Sequence, residues 1–555
     1  MRTPGEIIEQ ILTRRNIADP DEFFADKPRA THDPFLLPDM EEGADVIHRH
    51  IIEGKNICVY GDYDVDGLMS VTLLTGFLES LPDADAKNIS WYIPSRFDEG
   101  YGLNREATER IRADGVDLIV TVDCGVVPAS EVKAALDAGM AVVVTDHHAP
   151  DPDALPESPS IDPKMPGSAY PFTGLCGCGV AFKLAQAIRA RHYPDDAGVR
   201  AAMNSALDLV AIATIADVTP LTDENRTLVK YGLRALNAGA RWQLRELIDG
   251  VGLKPGEIKA HQVAFVIAPH LNAAGRLGDA APVVRLLKTE DREEARAIIA
   301  ELVERNALRR REQEDAVAAC MEIIDAEYPG DDFLLVKPPH IHEGVAGIVA
   351  GKVKEKYGRP VAVLSQTGEG EELLLKGSAR SVPGVDVISL IRRHEELFTR
   401  FGGHAMAAGF TLRPEHEEAL REAISADIGE LLRERPDLFS PETDVDADIL
   451  PEEASIELAH MLDRFEPAGA DNPRPVLRLR AQTPEGIRRM GAEQQHMKFT
   501  AGGLACVLFA RGGESAGLPG DGQFDLYGSL GVNSWNERET VQFIVREAIC
   551  SKSKN

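Results

Sequence analysis

The sequence predicts an α/β protein in several parts: a parallel-sheet domain, a long helical connector, a smaller α/β domain and a C-terminal β-barrel. Three observations carry that reading. At 555 residues the chain is long enough for three or four domains, each with its own core. From residue 55, short β-branched runs alternate with helical patterns, the rhythm of a parallel sheet covered on both faces. After residue 433 short strands at turn-rich spacing take over, which predicts a small antiparallel barrel or sandwich.

Residues 1–50 are an N-terminal arm, punctuated by Pro20, Pro28, Pro34 and Pro38 and expected to pack on the first domain. Residues 51–282 hold that domain. Its strands are read at 56–60 (NICVY), 89–93 (ISWYI), 117–122 (DLIVTV) and 141–145 (AVVVT), with helices at 68–81, 104–113 and 129–138. Further helices are expected at 180–191 and 203–215. Residues 283–328 read as connecting helices, one or two, and as a solvated connector between lobes. A second α/β rhythm occupies 329–432, with strands at 333–336, 361–364 and 373–377. An acidic, Pro-containing stretch at 434–453 reads as a linker within the last region, 433–555. Its strands are expected at 476–480, 496–500, 504–509, 524–528 and 540–546. No internal repeat is found.

Composition excludes some classes. With 44% hydrophobic and 27% charged residues the chain is ordinary globular protein, not a disordered one. Residues 1–16 lack the continuous apolar core of a signal peptide, and runs such as 209–216 are too short to span a bilayer, so no membrane role is expected. Seven scattered cysteines form no disulfide framework and point to a reducing cytoplasm. The formal net charge of −30 disfavours nonspecific wrapping of nucleic acid. It leaves room for a nuclease, which needs only a locally basic groove and cations to offset its carboxylates.

The strongest chemical signal sits at strand ends. Asp62, Asp64 and Asp66, in Gly61-Asp62-Tyr63-Asp64-Val65-Asp66-Gly67, follow the strand at 56–60 and precede an apolar helix. Taken alone, an acidic turn capping a helix reads the same way. The pattern recurs, however: Asp123 ends DLIVTV, and Asp146-His147-His148 ends AVVVT. Ligands of open α/β sheets gather outside the carboxyl ends of the strands, so these clusters are expected to converge on one crevice. Asp217, after the helical run LDLVAIATIA, can add a further acid. Carboxylates with one or two imidazoles suit Mn²⁺ or Mg²⁺ better than a thiolate-type zinc site. So many acids point to two ions, about 3.5–4 Å apart, bridged by a carboxylate.

DYDVDG, TVDCG, TDHH and ATIADVTPL, in that order, resemble the signature of the DHH phosphoesterase superfamily. RFDEGYGL (96–103), HLNAAGRL (270–277), HEGVAGIVAGKVKEKYGRP (342–360), GSARS (377–381) and FGGHAMAAGF (401–410) narrow the resemblance to the RecJ family of single-strand-specific 5′→3′ DNA exonucleases. The resemblance runs from about residue 50 to the C-terminus. It implies a DHH catalytic domain at 51–282, a DHH-associated domain at 329–432 and an OB-fold domain, with its linker, at 433–555.

Carried over by motif position, it also implies one ion held by Asp62, Asp64 and Asp123. A second would lie between Asp66, Asp123, His147 and Asp217, with Asp123 as the bridge. His148 then faces the scissile phosphate, and Asp146 orients a neighbouring imidazole. Ser378 and Arg380, in a small-residue turn, are expected to form a pocket for the 5′-phosphate, with Gly402-Gly403-His404 a second segment of close approach. Arg96, Tyr101 and Arg276 are placed in loops adjoining the first domain, the arginines for phosphates and the tyrosine for stacking on a base. In the barrel, Arg474, Arg478, Arg480, Arg488, Arg489 and Lys498 either track the strand or form a solvated face.

The implied function is a processive single-stranded-DNA exonuclease that releases 5′-mononucleotides by two-metal hydrolysis in recombination and repair. The implied setting is a cytoplasmic monomer, with a single-stranded-DNA-binding protein and a RecQ-type helicase as candidate partners. Two α/β lobes facing across a narrow groove would admit a single strand and exclude a duplex. Two rivals stand beside it: a sister enzyme acting on short oligoribonucleotides, cyclic dinucleotides or pyrophosphate, and a nucleic-acid-binding scaffold without catalysis. Other features have bland readings. Cys176-Gly177-Cys178 has no second pair at zinc spacing and suggests a tight turn entering a helix. Cys124 is a small buried residue, and His32, His48, His50, His192, His261 and His460 join no constellation. Ile341 stands where RecJ proteins usually carry an aromatic residue.

Overall fold

Five short strands form the first sheet: β1 (Ile57–Gly61), β2 (Ile89–Tyr92), β3 (Leu118–Val122), β4 (Ala141–Thr145) and β5 (Ser160–Ile161). They lie in the order β2-β1-β3-β4-β5, every neighbouring pair parallel. β1 and β3 are buried at every position, which is why they read ICVYG and LIVTV without polar alternation. On one face Ala107, Ile111, Val132 and Ala135, from helices Arg105–Ala113 and Ala129–Asp137, share a core with Tyr60, Ile119 and Val142. Helices Val65–Glu79, Gly177–His192 and Leu207–Ala216 pack together as another layer, and the first and last are apolar almost all round.

The computed structural model describes the chain except residues 127–128, 369, 440–443, 510–517, 519–521, 536–537 and 552–555. Two compact units emerge: residues 1–269, 280–296 and 443–555 form one, and residues 270–279 and 297–442 the other. The helix expected at 203–215 is in fact two, Ala197–Asn204 and Leu207–Ala216, parted by a turn at Ser205 and Ala206. Residues 197–216 have the length and apolar composition of a membrane span, but this turn divides them and 61% of the apolar window is buried in the protein.

The second unit is built on β6 (Leu334–Val336), β7 (Val361–Thr367), β8 (Leu374–Arg380), β9 (Phe398–His404) and β10 (Ala407–Leu412). Their order is β6-β7-β8-β10-β9, parallel between β6 and β7 and antiparallel elsewhere. The connecting region is two helices, Ala281–Lys288 and Arg292–Glu327. The longer is no solvated connector. Its Ala316, Cys320 and Ile324 are buried against β6, β7 and the helix Glu343–Tyr357.

The C-terminal strands are β11 (Ala447–Asp448), β12 (Leu477–Gln482), β13 (Pro484–Met490), β14 (His496–Ala501), β15 (Leu504–Leu508), β16 (Phe524–Trp535) and β17 (Arg538–Cys550). They form a mixed sheet in the order β11-β12-β16-β17-β15-β14-β13, since β11–β12 and β15–β17 are parallel. The N-terminal arm departs from expectation here. Ile7, Ile8 and Ile11, one stripe of the helix Pro4–Arg14, are buried with Leu458, Phe465, Leu477 and Phe499 of the C-terminal region, not on the first sheet. Arg2 and Arg15 fasten that helix through Glu453 at 2.7 Å and Asp446 at 2.6 Å. The rest of the arm packs on the first domain as expected: Lys183 Nζ donates to the His32 carbonyl at 2.8 Å, Ser160 N of β5 donates to Asp39 Oδ2 at 3.0 Å, and Gly43 of the helix Met40–Ile52 lies against Val143 and Ile161.

Candidate metal centre and phosphate-facing residues

The chain leaves β1, β3 and β4 at the same edge of the first sheet, and each exit begins with a carboxylate. After β1, Asp64 caps the helix Val65–Glu79, its Oδ1 accepting from Asp66 N at 2.9 Å and Gly67 N at 3.2 Å. The cap turns Asp66 inward. Its two oxygens accept from Gly177 N at 2.6 Å and Cys178 N at 2.8 Å, the first amides of the helix Gly177–His192. Helix amides and dipole together suit that carboxylate. The Cys176-Gly177-Cys178 turn, bland in the sequence, is thus the seat of an acidic site residue. A β-carbon on residue 177 would lie 2.6 Å from Asp123 Cβ and 2.7 Å from its Oδ1, so Gly177 also makes room for the β3 carboxylate.

After β4, Asp146 is wholly buried and organises both histidines. Its Oδ1 accepts from His147 N at 2.7 Å, His148 N at 3.1 Å and His148 Nδ1 at 2.8 Å, while Oδ2 accepts from Val126 N at 3.0 Å. His147 points into the acids, its Nε2 being 3.2 Å from Asp123 Oδ1, 3.7 Å from Asp66 Oδ2 and 3.8 Å from Asp217 Oδ2. Asp217 arrives from the C-terminal end of the helix Leu207–Ala216. Three sets of ligand atoms therefore lie within 4.8 Å of one another: Asp62, Asp64 and Asp123; Asp66, His147 and Asp217; and Asp123, His147 and His148.

The electrostatics fit a cation. Burial, then neighbouring carboxylates, raises Asp62 and Asp123 well above the usual range. The same causes take Asp66 to about 6 and Asp217 to about 8. Burial and the charge of His148 lower His147 to about 3, so it offers a neutral imidazole. Burial lowers His148 too, but the hydrogen bond and charge of Asp146 outweigh it and lift the ring to about 9. Asp62 Oδ1 and Asp123 Oδ1 are buried without a hydrogen-bond partner, the condition of ligand atoms awaiting an ion. An oxygen-rich set with one neutral imidazole suits Mn²⁺ or Mg²⁺.

Of the residues expected to hold substrate, Arg96 and Tyr101 lie beside this cluster. Arg96 sits 5.1 Å above the Tyr63 ring, and its charge favours ionised Asp62. Tyr101 is less a free stacking face than a brace. Its hydroxyl donates to the Asp123 carbonyl at 3.3 Å and lies 3.0 Å from His148 Nδ1.

Arg276, Ser378, Arg380 and His404 belong to the second unit. Arg276 is on the helix Ala268–Leu277, not in a loop, and its Nη1 donates to the Gly344 carbonyl at 3.1 Å. Ser378 and Arg380 are not in a turn either: GSARS is the end of β8, a strand flanked by β7 and β10. Glycine suits residue 377 because the Phe410 ring occupies the place of a β-carbon, 2.1 Å away. Strand alternation then puts Ser378 and Arg380 together on the opposite, half-exposed face. Ala407 of β10 pairs with both Arg380 and His404, and Gly409 pairs with both Ser378 and Gly402. The three candidates therefore line one face across β8, β10 and β9, and a β-carbon on Gly402 would meet nothing within 4 Å. Burial depresses the Arg380 guanidinium, which makes no ion pair among the described residues. In the C-terminal sheet, Arg474 is held by Glu466 at 2.8 Å and Arg478 and Arg480 by Asp448 at 2.6 Å, whereas exposed Arg488 and Lys498 face each other across β13 and β14.

Comparison with known proteins agrees with this layout. Family models match in order: the DHH family N-terminal domain at 56–214, the DHHA1 domain at 330–430 and the RecJ OB domain at 445–547. The single-stranded-DNA-specific exonuclease RecJ of Bacillus subtilis is 35% identical, over 96% of this chain and 66% of the relative. That of Salmonella typhimurium is 33% identical, over 92% of this chain and 90% of the relative. The crystal structure of Thermus thermophilus RecJ in complex with Mn²⁺ superposes with a TM-score of 0.79 at 30% identity, covering 98% of this chain and 76% of that one. Its complex with Mg²⁺ gives 0.76 at 29% identity, covering 98% and 74%. With this identity carried across nine-tenths of a full relative, and three domain models met in order, the chain belongs to the RecJ family of DHH phosphoesterases.

Proposed function

We propose that this chain is a metal-dependent exodeoxyribonuclease that degrades single-stranded DNA from its 5′ end and releases 5′-mononucleotides. The observation that carries this reading is Asp123. It shares one ligand set with Asp62 and Asp64, and stands 3.2 Å from the His147 imidazole of another. Asp123 would thus contribute to two ion sites, one held with Asp62 and Asp64 and the other with Asp66, His147 and Asp217. Bound there, divalent cations would lower the pKa of an attacking water and stabilise charge on the leaving oxygen.

The chain's own groups complete the chemistry. His148, held protonated by Asp146, would face a non-bridging oxygen of the scissile phosphate and offset its charge. Water would bond to phosphorus as the P–O3′ bond breaks, and the departing O3′ would gain a proton. The mononucleotide leaves with its 5′-phosphate, and the shortened strand again begins with one. The Ser378, Arg380 and His404 face would therefore meet the same chemical end at each cycle, which supports processive action. The work in recombination and repair, on strands presented by a single-stranded-DNA-binding protein or a RecQ-type helicase, belongs to the same proposal.

The test is one oligodeoxynucleotide labelled separately at its two ends, incubated with Mn²⁺ and then with EDTA. Immediate release of the 5′ label as a mononucleotide, abolished by EDTA, is expected. Earlier loss of the 3′ label would overturn the polarity, and no cleavage with any divalent ion would overturn the enzyme.

A further inference from the structure

The edge of the first sheet that gathers the acids also carries a lysine. β5 pairs with β4 so that Ile161 stands opposite Thr145, and Asp146 N donates to the Ile161 carbonyl at 3.2 Å. Asp162 thus leaves β5 at the edge where Asp146 leaves β4. The chain does not wander there. Met165 N donates to the Asp162 carbonyl at 3.2 Å, closing a four-residue turn with Pro163 at its second position and Lys164 at its third. The Asp162 side chain, wholly buried, accepts from Lys164 N at 2.6 Å and pins the turn again.

Lys164 is exposed at the tip of this turn. Its neighbourhood is rich in carboxylates, yet among the described residues none comes within ion-pair distance of its ammonium. The turn stands at the same edge of the sheet as the acids, since β4 and β5 are parallel and both end there. A lysine that only balanced the acids would sit in contact with one of them. A lysine held near them but unpaired keeps three donors free for an anion that arrives with the substrate.

We propose that Lys164 binds a phosphodiester oxygen of the strand next to the scissile bond and so positions substrate at the metal centre. This rests on the nuclease reading above. The lysine is a compact charge on a flexible stem, suited to a backbone that must slide forward by one nucleotide after each cut. Being unpaired in the free protein, it gives up no ion pair when the strand binds.

The experiment compares the full chain with Lys164→Gln and Lys164→Arg, using 5′-phosphorylated single-stranded DNA and Mn²⁺ over a range of salt. Lys164→Gln is expected to raise KM on the order of tenfold, the effect of losing one charge-assisted contact. The slope of log KM against log salt should become shallower by about 0.7, one phosphate contact on a single strand. Lys164→Arg should retain most of both. The half-saturating Mn²⁺ concentration should stay level or fall, because a repelling cation has left the acids. Unchanged KM and salt slope in a variant that melts like the parent would overturn the proposal. So would an arginine variant as impaired as the glutamine one, or a rise in half-saturating Mn²⁺ without a change in KM. A parent chain that cuts no DNA fails differently, by removing the nuclease reading itself.

Discussion

Asp123 has a backbone φ of 59°, in the left-handed region that side chains other than glycine rarely adopt. Such a conformation costs on the order of 1–3 kcal/mol and persists only where its surroundings impose it. Here the Tyr101 hydroxyl holds its carbonyl, and the bare Cα of Gly177 leaves space for its side chain. Gly177→Ala is therefore expected to displace the Asp123 carboxylate. Turnover should fall by about 10²-fold or more, as when a catalytic group moves by roughly 1 Å, while melting drops only a few degrees. An alanine variant with parental kcat would show that Asp123 tolerates the shift. A second expectation at this scale concerns pH. Asp162 is raised by burial to about 7, Asp217 to about 8 and His148 to about 9. Between pH 6.5 and 8 the folded metal-free protein thus keeps protons that the unfolded chain has lost. Its stability is greatest below this window and declines as pH rises, by about 1.4 kcal/mol per pH unit for each such proton. Melting with EDTA should fall across the window and flatten with Mn²⁺; a flat EDTA profile would contradict the crowding of carboxylates. Asp62, Asp123 and Asp146 were legible in the sequence because each opens a strand exit. The seat of Asp66 was not, since nothing local says that the amides of residues 177 and 178 fold back onto a carboxylate 111 residues earlier.

At the scale of elements, β8 shows where local reading misleads. Gly, Ser and Ala have poor strand propensity, so GSARS reads as a turn by composition. The Phe410 ring from β10 decides otherwise by filling the place of a β-carbon at Gly377, and the alternation this imposes makes Ser378 and Arg380 neighbours on one face. The Gly402 and Gly409 backbones lie level with Ser378 in the same cross-strand row and leave the surface open. Arg380→Ala should weaken discrimination between 5′-phosphate and 5′-hydroxyl ends while leaving half-saturating Mn²⁺ unchanged, because every metal-ligand candidate lies in the other unit. Equal rates on the two ends before and after substitution would remove the phosphate pocket. The parallel sheet, by contrast, was plain from sequence: buried parallel strands are apolar throughout, and helices must intervene between them. The helix Pro4–Arg14 announced its apolar stripe but not the destination of that stripe, because its partners lie more than 430 residues away.

At the scale of the molecule, the unit that holds the acidic cluster is assembled from distant stretches of chain, and Arg226 joins three of them. It projects from the helix Asp223–Ala238 and is almost fully buried. Nε donates to the Phe23 carbonyl at 3.2 Å, Nη1 to Phe465 at 3.0 Å and Pro467 at 3.3 Å, and Nη2 to Arg464 at 3.3 Å and Glu466 at 3.0 Å. The guanidinium also lies 3.8 Å from the Phe23 ring centroid. Burial, set against the charge of Glu466, still lowers it to about 10. The same helix lies tight against Leu207–Ala216, where a β-carbon on Gly232 would meet the Leu207 carbonyl at 2.1 Å, and that second helix ends at Asp217. The N-terminal arm and the C-terminal domain thus grip a helix one layer from a metal-ligand candidate. Arg226→Met keeps the bulk but leaves buried carbonyls unpaired, a loss on the order of 3–5 kcal/mol. At about 2–4 °C per kcal/mol for a domain of 150–250 residues, melting should fall by roughly 10 °C. If the packing onto Leu207–Ala216 transmits the loss, half-saturating Mn²⁺ should rise as well, whereas discrimination of the 5′ end should hold. A lower melting temperature with an unmoved Mn²⁺ curve would confine Arg226 to joining the domains and exclude its coupling to Asp217.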